Sequence, residues 1–340
     1  MKRVIKRLIK LVVFSLLLFA AFYNSSAFAV IYPAPVSLRY IEPLTKTQVE
    51  SALEYVQSEQ NNADTYPTFW LQKEGVEVTT RDDTKAITQI LVGHGQGELI
   101  WPATFILGGW PGVYDEDGCA VSAQLAWNLW GSTDVVGKEV QLDKRKLTVR
   151  GIFEGEDPIL YATGGLDAGY TCVELSPIID EDKHEAAENF IIKAGLPFAD
   201  YMVYGGSMQV LMQAACWLEV IYSALCLMWH LFRACPPKRR RLMLLCLLFV
   251  LAFLLPVALS ELPAWVIPTR WSDFDFWGRL WQTVSDRIRE WFSLPAQSKD
   301  VMAKFLMLKQ GILSVGLMLL AVSLMRKEGV SVSDIRHPKP

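Results

Sequence analysis

The stretch Gly131-Ser132-Thr133-Asp134-Val135-Val136-Gly137-Lys138-Glu139 has the glycines and the lysine of a phosphate-binding loop. Its glycines stand one residue too far apart, and Glu139 takes the place where the metal needs a Ser or Thr hydroxyl. It reads as a structural turn. Two acidic triplets, Asp115–Asp117 and Asp180–Asp182, are candidates for a divalent cation, but neither has the ligand spacing of a calcium loop. Solvated turns are the better reading. Four histidines, His94, His184, His230 and His337, are scattered too widely to suggest a zinc cluster. No Gly-x-Ser-x-Gly elbow occurs. The sequence therefore points to no catalytic, cofactor-binding or metal-binding residue, and the expectation is a protein that is not an enzyme.

The elements that carry these residues are set by hydropathy. The chain has 340 residues, 51% of them hydrophobic, but the apolar residues are concentrated in four runs. These are Leu11–Tyr32, Met208–Phe232, Leu242–Ser260 and about Val301–Met325. A spanning helix needs roughly 20 mostly apolar residues. The fourth run spans only if Lys304 and Lys309 reach back to the interface.

Basic residues give the orientation. Lys2, Arg3, Lys6, Arg7 and Lys10 precede the first run, and Arg326 and Lys327 follow the fourth. Arg233, Pro236, Pro237, Lys238, Arg239, Arg240 and Arg241 fall between the second and third. Short Lys/Arg-rich loops stay cytoplasmic, so all three clusters belong inside. The expected organisation is 1–32, basic start and first membrane helix; 33–206, extracytoplasmic domain; 207–232, second helix; 233–241, cytoplasmic loop; 242–260, third helix; 261–300, outer loop; 301–325, fourth helix; and 326–340, cytoplasmic tail. The first run also fits a secretory signal with an A-x-A site at Ala27-Phe28-Ala29. Either way, the localisation is the cytoplasmic membrane with the main domain outside.

That domain holds 12 Lys or Arg against 27 Asp or Glu, a net of −15. Such a charge repels nucleic acid and anionic lipid, so a nucleic-acid role is excluded. Its two cysteines, Cys119 and Cys172, are a possible disulfide that would stabilise by about 4 kcal/mol through loop closure. The alternative is two unpaired buried thiols. Glu219 lies deep in the second apolar run, where an acid is costly and is a possible intramembrane polar site. In the outer loop, Phe276, Trp277, Leu280, Trp281, Val284, Ile288, Trp291 and Phe292 recur on one helical face, opposite Arg279, Asp286, Arg287, Arg289 and Glu290. The pattern predicts an amphipathic helix at the bilayer surface, or packed beneath the acidic domain.

Within the domain, Thr45 and Gln48 form a capping box, and Val49, Ala52, Leu53 and Val56 predict a helix over 46–59. Phe69 to Val78 reads as a hairpin turning at Lys73-Glu74-Gly75. Ala86–Val92 reads as a strand. From Cys119 onward the pattern is strand, helix capped by Ser122 and closed by Gly131, then two strands joined at Asp143-Lys144-Arg145.

Val121-Ser122-x-x-Leu125-Ala126-x-x-Leu129-Trp130-Gly131, then Asp134-x-Val136-Gly137-Lys138, a hairpin, and Val149-Arg150-Gly151-Ile152-Phe153, resembles the MacB-like periplasmic core domain of MacB/FtsX-type ABC transporter permeases. Ile90-Leu91-Val92-Gly93 and Gly108-Gly109 fall where that family has a strand ending in Gly and a Gly-containing turn. The likeness covers about 65 residues, 90–155. It implies an α+β extracytoplasmic domain, MacB-core-like, inserted between transmembrane helix 1 and a three-helix transmembrane region. It further implies a non-catalytic, permease-like subunit, a cytoplasmic ABC ATPase partner and a homo- or hetero-dimer in the lipid bilayer. Motion would pass from the ATPase through residues 233–241. The family's Arg…Glu-Ile-Gly…Ala-x-Gly pattern is missing there, and Pro236 and Pro237 cannot build its helix. The alternative is a membrane-anchored binding or scaffold protein without an ATPase.

Overall fold

The computed structural model describes residues 2–58, 65–178, 183–234, 275–293 and 297–325, with five single residues between 236 and 252. The chain divides into two units. One comprises Ser26–Val210 with Ala296–Ala303, and the other Met1–Ser25, Leu211–Pro295 and Lys304–Pro340.

The first unit is built on ten strands: β1 (Val36–Arg39), β2 (Tyr66–Thr80), β3 (Lys85–His94), β4 (Phe105–Gly108), β5 (Gly118–Ser122), β6 (Glu139–Leu142), β7 (Arg145–Phe153), β8 (Ile159–Thr163), β9 (Cys172–Ser176) and β10 (Tyr201–Val203). They form one sheet in the order β10-β1-β9-β2-β3-β8-β5-β7-β4, with β6 pairing β2 and β7. Most pairs are antiparallel; β3 with β8 and β5 with β7 are parallel.

Local signals account for much of this. In α2 (Lys46–Ser58), the Thr45 N–H donates to Gln48 Oε1 at 2.8 Å, one arm of the capping box. Helix α4 (Ala123–Trp130) starts where Ser122 Oγ accepts from the Leu125 N–H at 3.2 Å, and stops at Gly131, φ +65. Asp143, φ +52, turns β6 into β7.

The hairpin expected at Lys73-Glu74-Gly75 is not formed. Gly75, φ +66, absorbs the irregularity as a bulge between Lys73 and Val76, so β2 stays one strand and pairs with β3 on both sides of it, from Phe69 to Thr79. The apolar residues on both sides of Gly75 thus alternate along a single strand, and the chain reverses at Arg81–Thr84 instead.

Period-two alternation sorts the sheet's side chains onto two faces. Phe69, Leu71, Val173, Leu175, Val36 and Leu38 bury one face against α2 and α5 (Lys183–Lys193). Cys119, Val121, Leu160 and Ala162 continue it beneath α4. The intervening residues Trp70, Leu91, Ala120, Tyr161 and Cys172 pack with Trp101, Trp110 and α3 (Gly97–Ile100) on the other face.

Long helices make up most of the second unit. Helices α1 (Lys2–Ile31) and α8 (Ser298–Met325) contain the runs Leu8–Ile31 and Ser298–Leu324, each long and apolar enough to cross a membrane. Helix α6 (Gly205–Ala234) is 30 residues long. Helix α7 (Phe276–Ser293) is the amphipathic segment; its Trp277 and Trp281 are exposed while Trp291 is buried, with Lys304 Nζ 5.7 Å from its ring. The expected third membrane helix, 242–260, lies outside the described residues apart from 245, 248, 249 and 252.

Candidate functional site

The pairing of β1, β9 and β2 assembles a charged cluster on the α3 face. Arg39 lies opposite Cys172, Trp70 opposite the same Cys172, and Ser37 and Thr68 opposite Glu174. Arg39, Trp70 and Glu174 therefore share one face of three adjacent strands. Into this face comes the first turn of α8. The Ser298 N–H donates to Gln72 Oε1 at 2.9 Å, and Ser298 Oγ donates to Gln89 Oε1 at 3.0 Å.

The next two residues bring charge. Lys299 Nζ donates to the Leu99 carbonyl at 2.6 Å and to Glu174 Oε1 at 3.1 Å. Asp300 receives Arg39 through two contacts, Nη2 to Oδ1 at 3.1 Å and Nε to Oδ2 at 3.4 Å, and the Tyr32 hydroxyl at 2.5 Å. The Trp70 indole N–H donates to Glu174 Oε1 at 3.0 Å, and the Arg39 guanidinium stands 5.2 Å from the Trp70 ring centre. Arg39 is 6% exposed, Lys299 1%, and Glu174 and Asp300 are fully buried.

Two cations meet two anions out of contact with water. Burial opposes the Arg39 charge most strongly, but Asp300, Cys172, Glu174 and Tyr32 together outweigh it and hold the guanidinium well above its usual range. Cys172, beside Arg39, is pushed up by burial to about 11 and is a neutral thiol. Every charge here is neutralised by a neighbour. The arrangement joins four stretches of chain, 32–39, 70–72, 174 and 298–300, and Glu174 Oε2 is the carboxylate oxygen in it left without a hydrogen-bond partner.

This cluster was not singled out from sequence, although a signal exists. Arg39 and Glu174 each interrupt an apolar strand, and Lys299-Asp300 directly precedes an apolar run. Charges in such places are costly unless partnered.

The residues that were singled out are placed elsewhere. Cys119 on β5 and Cys172 on β9 are free, buried thiols with β2, β3 and β8 between their strands. The possible bridge is thus not formed; its cysteines pack in different layers, and strand spacing of about 4.8 Å keeps them well beyond bonding reach. Glu219 on α6 is 1% exposed, and neither carboxylate oxygen has a hydrogen-bond partner. In the same unit, Asn24 Nδ2 donates to Gln310 Oε1 at 3.1 Å, and Gln310 Nε2 reaches Cys216 Sγ at 3.1 Å. Of the loop containing Arg233, Pro236, Pro237, Lys238, Arg239, Arg240 and Arg241, the described residues are 233, 234 and 236. The Gly131–Glu139 stretch closes α4 and turns the chain into β6. Asp115 of the first acidic triplet is held by Arg150 at 2.8 Å, and Asp180–Asp182 lies outside the described residues.

No family model and no curated protein matches the chain. Among solved structures it is similar to the periplasmic region of MacB from Actinobacillus actinomycetemcomitans, at 11% identity over 52% of this chain and 91% of that one, TM-score 0.40. It is similar also to the extracellular domain of the noncanonic ABC-type transporter YknZ from Gram-positive bacteria, at 13% identity over 48% and 97%, TM-score 0.36. A domain of a putative permease protein from Porphyromonas gingivalis matches at 15% identity over 47% and 84%, TM-score 0.34.

Proposed function

We propose that this chain is a multi-pass, non-catalytic membrane subunit of the MacB/FtsX type, which relays motion between its membrane helices and its extracytoplasmic domain. The observation that carries the reading is the Tyr32–Asp300–Arg39 junction, which fastens the residue following α1, strand β1 and the first turn of α8 at one buried point. Connectivity adds to it. Four residues separate α1 from β1, and Tyr204 alone separates β10 from α6. β1 and β10 are hydrogen-bonded neighbours, Arg39 opposite Tyr201. Displacement of a helix end therefore has little slack to take up before it reaches the sheet. In this reading a cytoplasmic ABC ATPase drives the movement through residues 233–241, and the subunit works as a dimer in the bilayer.

Purification of the full chain in mild detergent from its native membrane tests this. An ATPase co-purifies, and Pro236→Ala with Pro237→Ala reduces its stimulation while leaving insertion and abundance unchanged. If no ATPase associates with the unaltered chain, the alternative holds: a membrane-anchored extracytoplasmic binding or scaffold protein. The specific observation favouring that alternative is the two-proline basic loop at 233–241.

A further inference from the structure

The sheet ends in two edge strands, and they are built differently. β10 is three residues long, begins just after Asp200 and leads into α6 one residue later. A short edge beside a charge and a helix resists further pairing. β4 lies in the uncharged run Thr104-Phe105-Ile106-Leu107-Gly108-Gly109. Among the described residues it pairs only with β7. It leaves Ile106 50% and Leu107 46% exposed, and Tyr114, past its far end, is 88% exposed. The strand itself carries no charge and no proline; its protection is limited to its four-residue length and an irregularity between Phe105 and Leu107.

Charge around β4 is one-sided. No Lys or Arg occurs from Ala86 to Gly137, or from Gly151 to Asp182. At the start of β4, the Glu154 N–H donates to the Thr104 carbonyl at 2.9 Å, and Glu154, Glu156 and Asp157 are all exposed. Beyond its other end stand Asp115, Glu116 and Asp117. The nearby cations are already engaged: Arg150 with Asp115 at 2.8 Å, and Arg145 with the carbonyls of Glu116 and Thr163.

We infer that β4 is a docking edge for an extended strand of a protein partner, apolar in its centre and bearing Lys or Arg at both ends. The open backbone groups of β4 supply the pairing, Ile106 and Leu107 the apolar contact, and the two acidic ends the choice of flanks. A second copy of the same edge brings acids to acids and is disfavoured.

The test uses the full chain in detergent and a fluorescent peptide alternating Val and Thr, with paired Lys at each end; its control carries Glu in place of Lys. The Lys-flanked peptide binds about tenfold tighter or better, a difference of about 1.4 kcal/mol, and loosens as salt rises. Ile106→Lys with Leu107→Lys abolishes binding; both side chains are half-exposed, so protease resistance of the sheet is retained. Glu154→Lys with Glu156→Lys weakens binding without touching the strand. Equal affinity for the two peptides, or binding unaffected by the β4 substitutions, overturns the inference. So does a concentration-dependent dimer that those substitutions dissolve, because that assigns the edge to a second copy. None of these readouts requires an ATPase, so their failure is separate from failure of the relay reading.

Discussion

On the sheet, Arg39, Glu174, Lys299 and Asp300 bring two positive and two negative charges into one buried cluster, held by distances of 3.1 to 3.5 Å. Among the described residues of the helical unit, the amides of Asn24 and Gln310 and the Cys216 thiol are hydrogen-bonded in a chain, Ser25 and Ser314 are buried hydroxyls, and neither oxygen of the acid Glu219 makes a well-formed hydrogen bond. The contrast shows what each unit uses polarity for. Removing one of four balanced charges leaves another uncompensated in a dry site, which is far costlier than losing a hydrogen bond. The sheet cluster is therefore an all-or-none fastening, whereas the helical chain tolerates adjustment.

The largest effect should come from breaking the balance. Asp300→Ala strands Arg39, and we expect it to destabilise the sheet unit by about 3–5 kcal/mol, read as protease sensitivity or faster hydrogen exchange in β1, β9 and β2. Arg39→Met combined with Asp300→Leu should cost clearly less than the sum of the single changes. Strict additivity would mean that the two residues act independently and that no fastening exists.

A neutral site on the same sheet gives the next measure. Ser122 Oγ accepts from the Leu125 and Ile159 N–H groups and donates to the Asp157 carbonyl at 2.7 Å. Ser122→Ala leaves two buried donors unmet, and we expect a loss of about 2 kcal/mol by the same measurement. A loss equal to that of Asp300→Ala would erase the distinction between charged and neutral anchoring.

What could be read from sequence follows this division. The capping box at Thr45, the Ser122 cap, the Gly131 stop and the Asp143 turn depend on residues a few positions apart, and each was legible. So was the alternation that makes β3, β6 and β7 strands. β2 misled because a left-handed glycine serves a bulge as well as a turn, and only the partner strand decides. The charged cluster was hidden because Arg39, Glu174 and Lys299 are far apart in the chain. They become neighbours through the order β1-β9-β2 and the return of 298–300. The same strand order separates Cys119 from Cys172.

Those cysteines give a smaller, pH-dependent effect. Burial raises Cys119 to about 12 and Cys172 to about 11. The folded state holds their protons while the unfolded chain releases them near pH 8.5, so stability falls as pH rises from there toward 11. At pH 9.5 the loss should be about 1.4 kcal/mol per thiol. Cys→Ser at either position should flatten that slope. In native protein both thiols should resist alkylation at pH 8, then react fully on denaturation without reductant.

The smallest effect is expected at the other buried acid. Glu219 is as inaccessible as Glu174, but Glu174 Oε1 meets Arg39, Lys299 and Trp70, whereas both Glu219 oxygens are without a hydrogen bond. Ser314 is the polar side chain whose hydroxyl approaches Glu219, but the two do not reach well-formed hydrogen-bond geometry. A glutamine of the same shape removes no ion pair and adds an amide donor that can reach this hydroxyl. Glu219→Gln should therefore change the stability of the helical unit by less than about 1 kcal/mol, while Glu174→Gln weakens the sheet unit by several times as much. Thermal unfolding of the full chain in detergent, followed separately by protease cuts in each unit, compares the two directly. If Glu219→Gln leaves stability intact but alters ATPase stimulation, Glu219 serves the relay as an intramembrane polar site. If instead it destabilises as strongly as Glu174→Gln, then Glu219 has a charged partner, and the two units bury acids by the same rule.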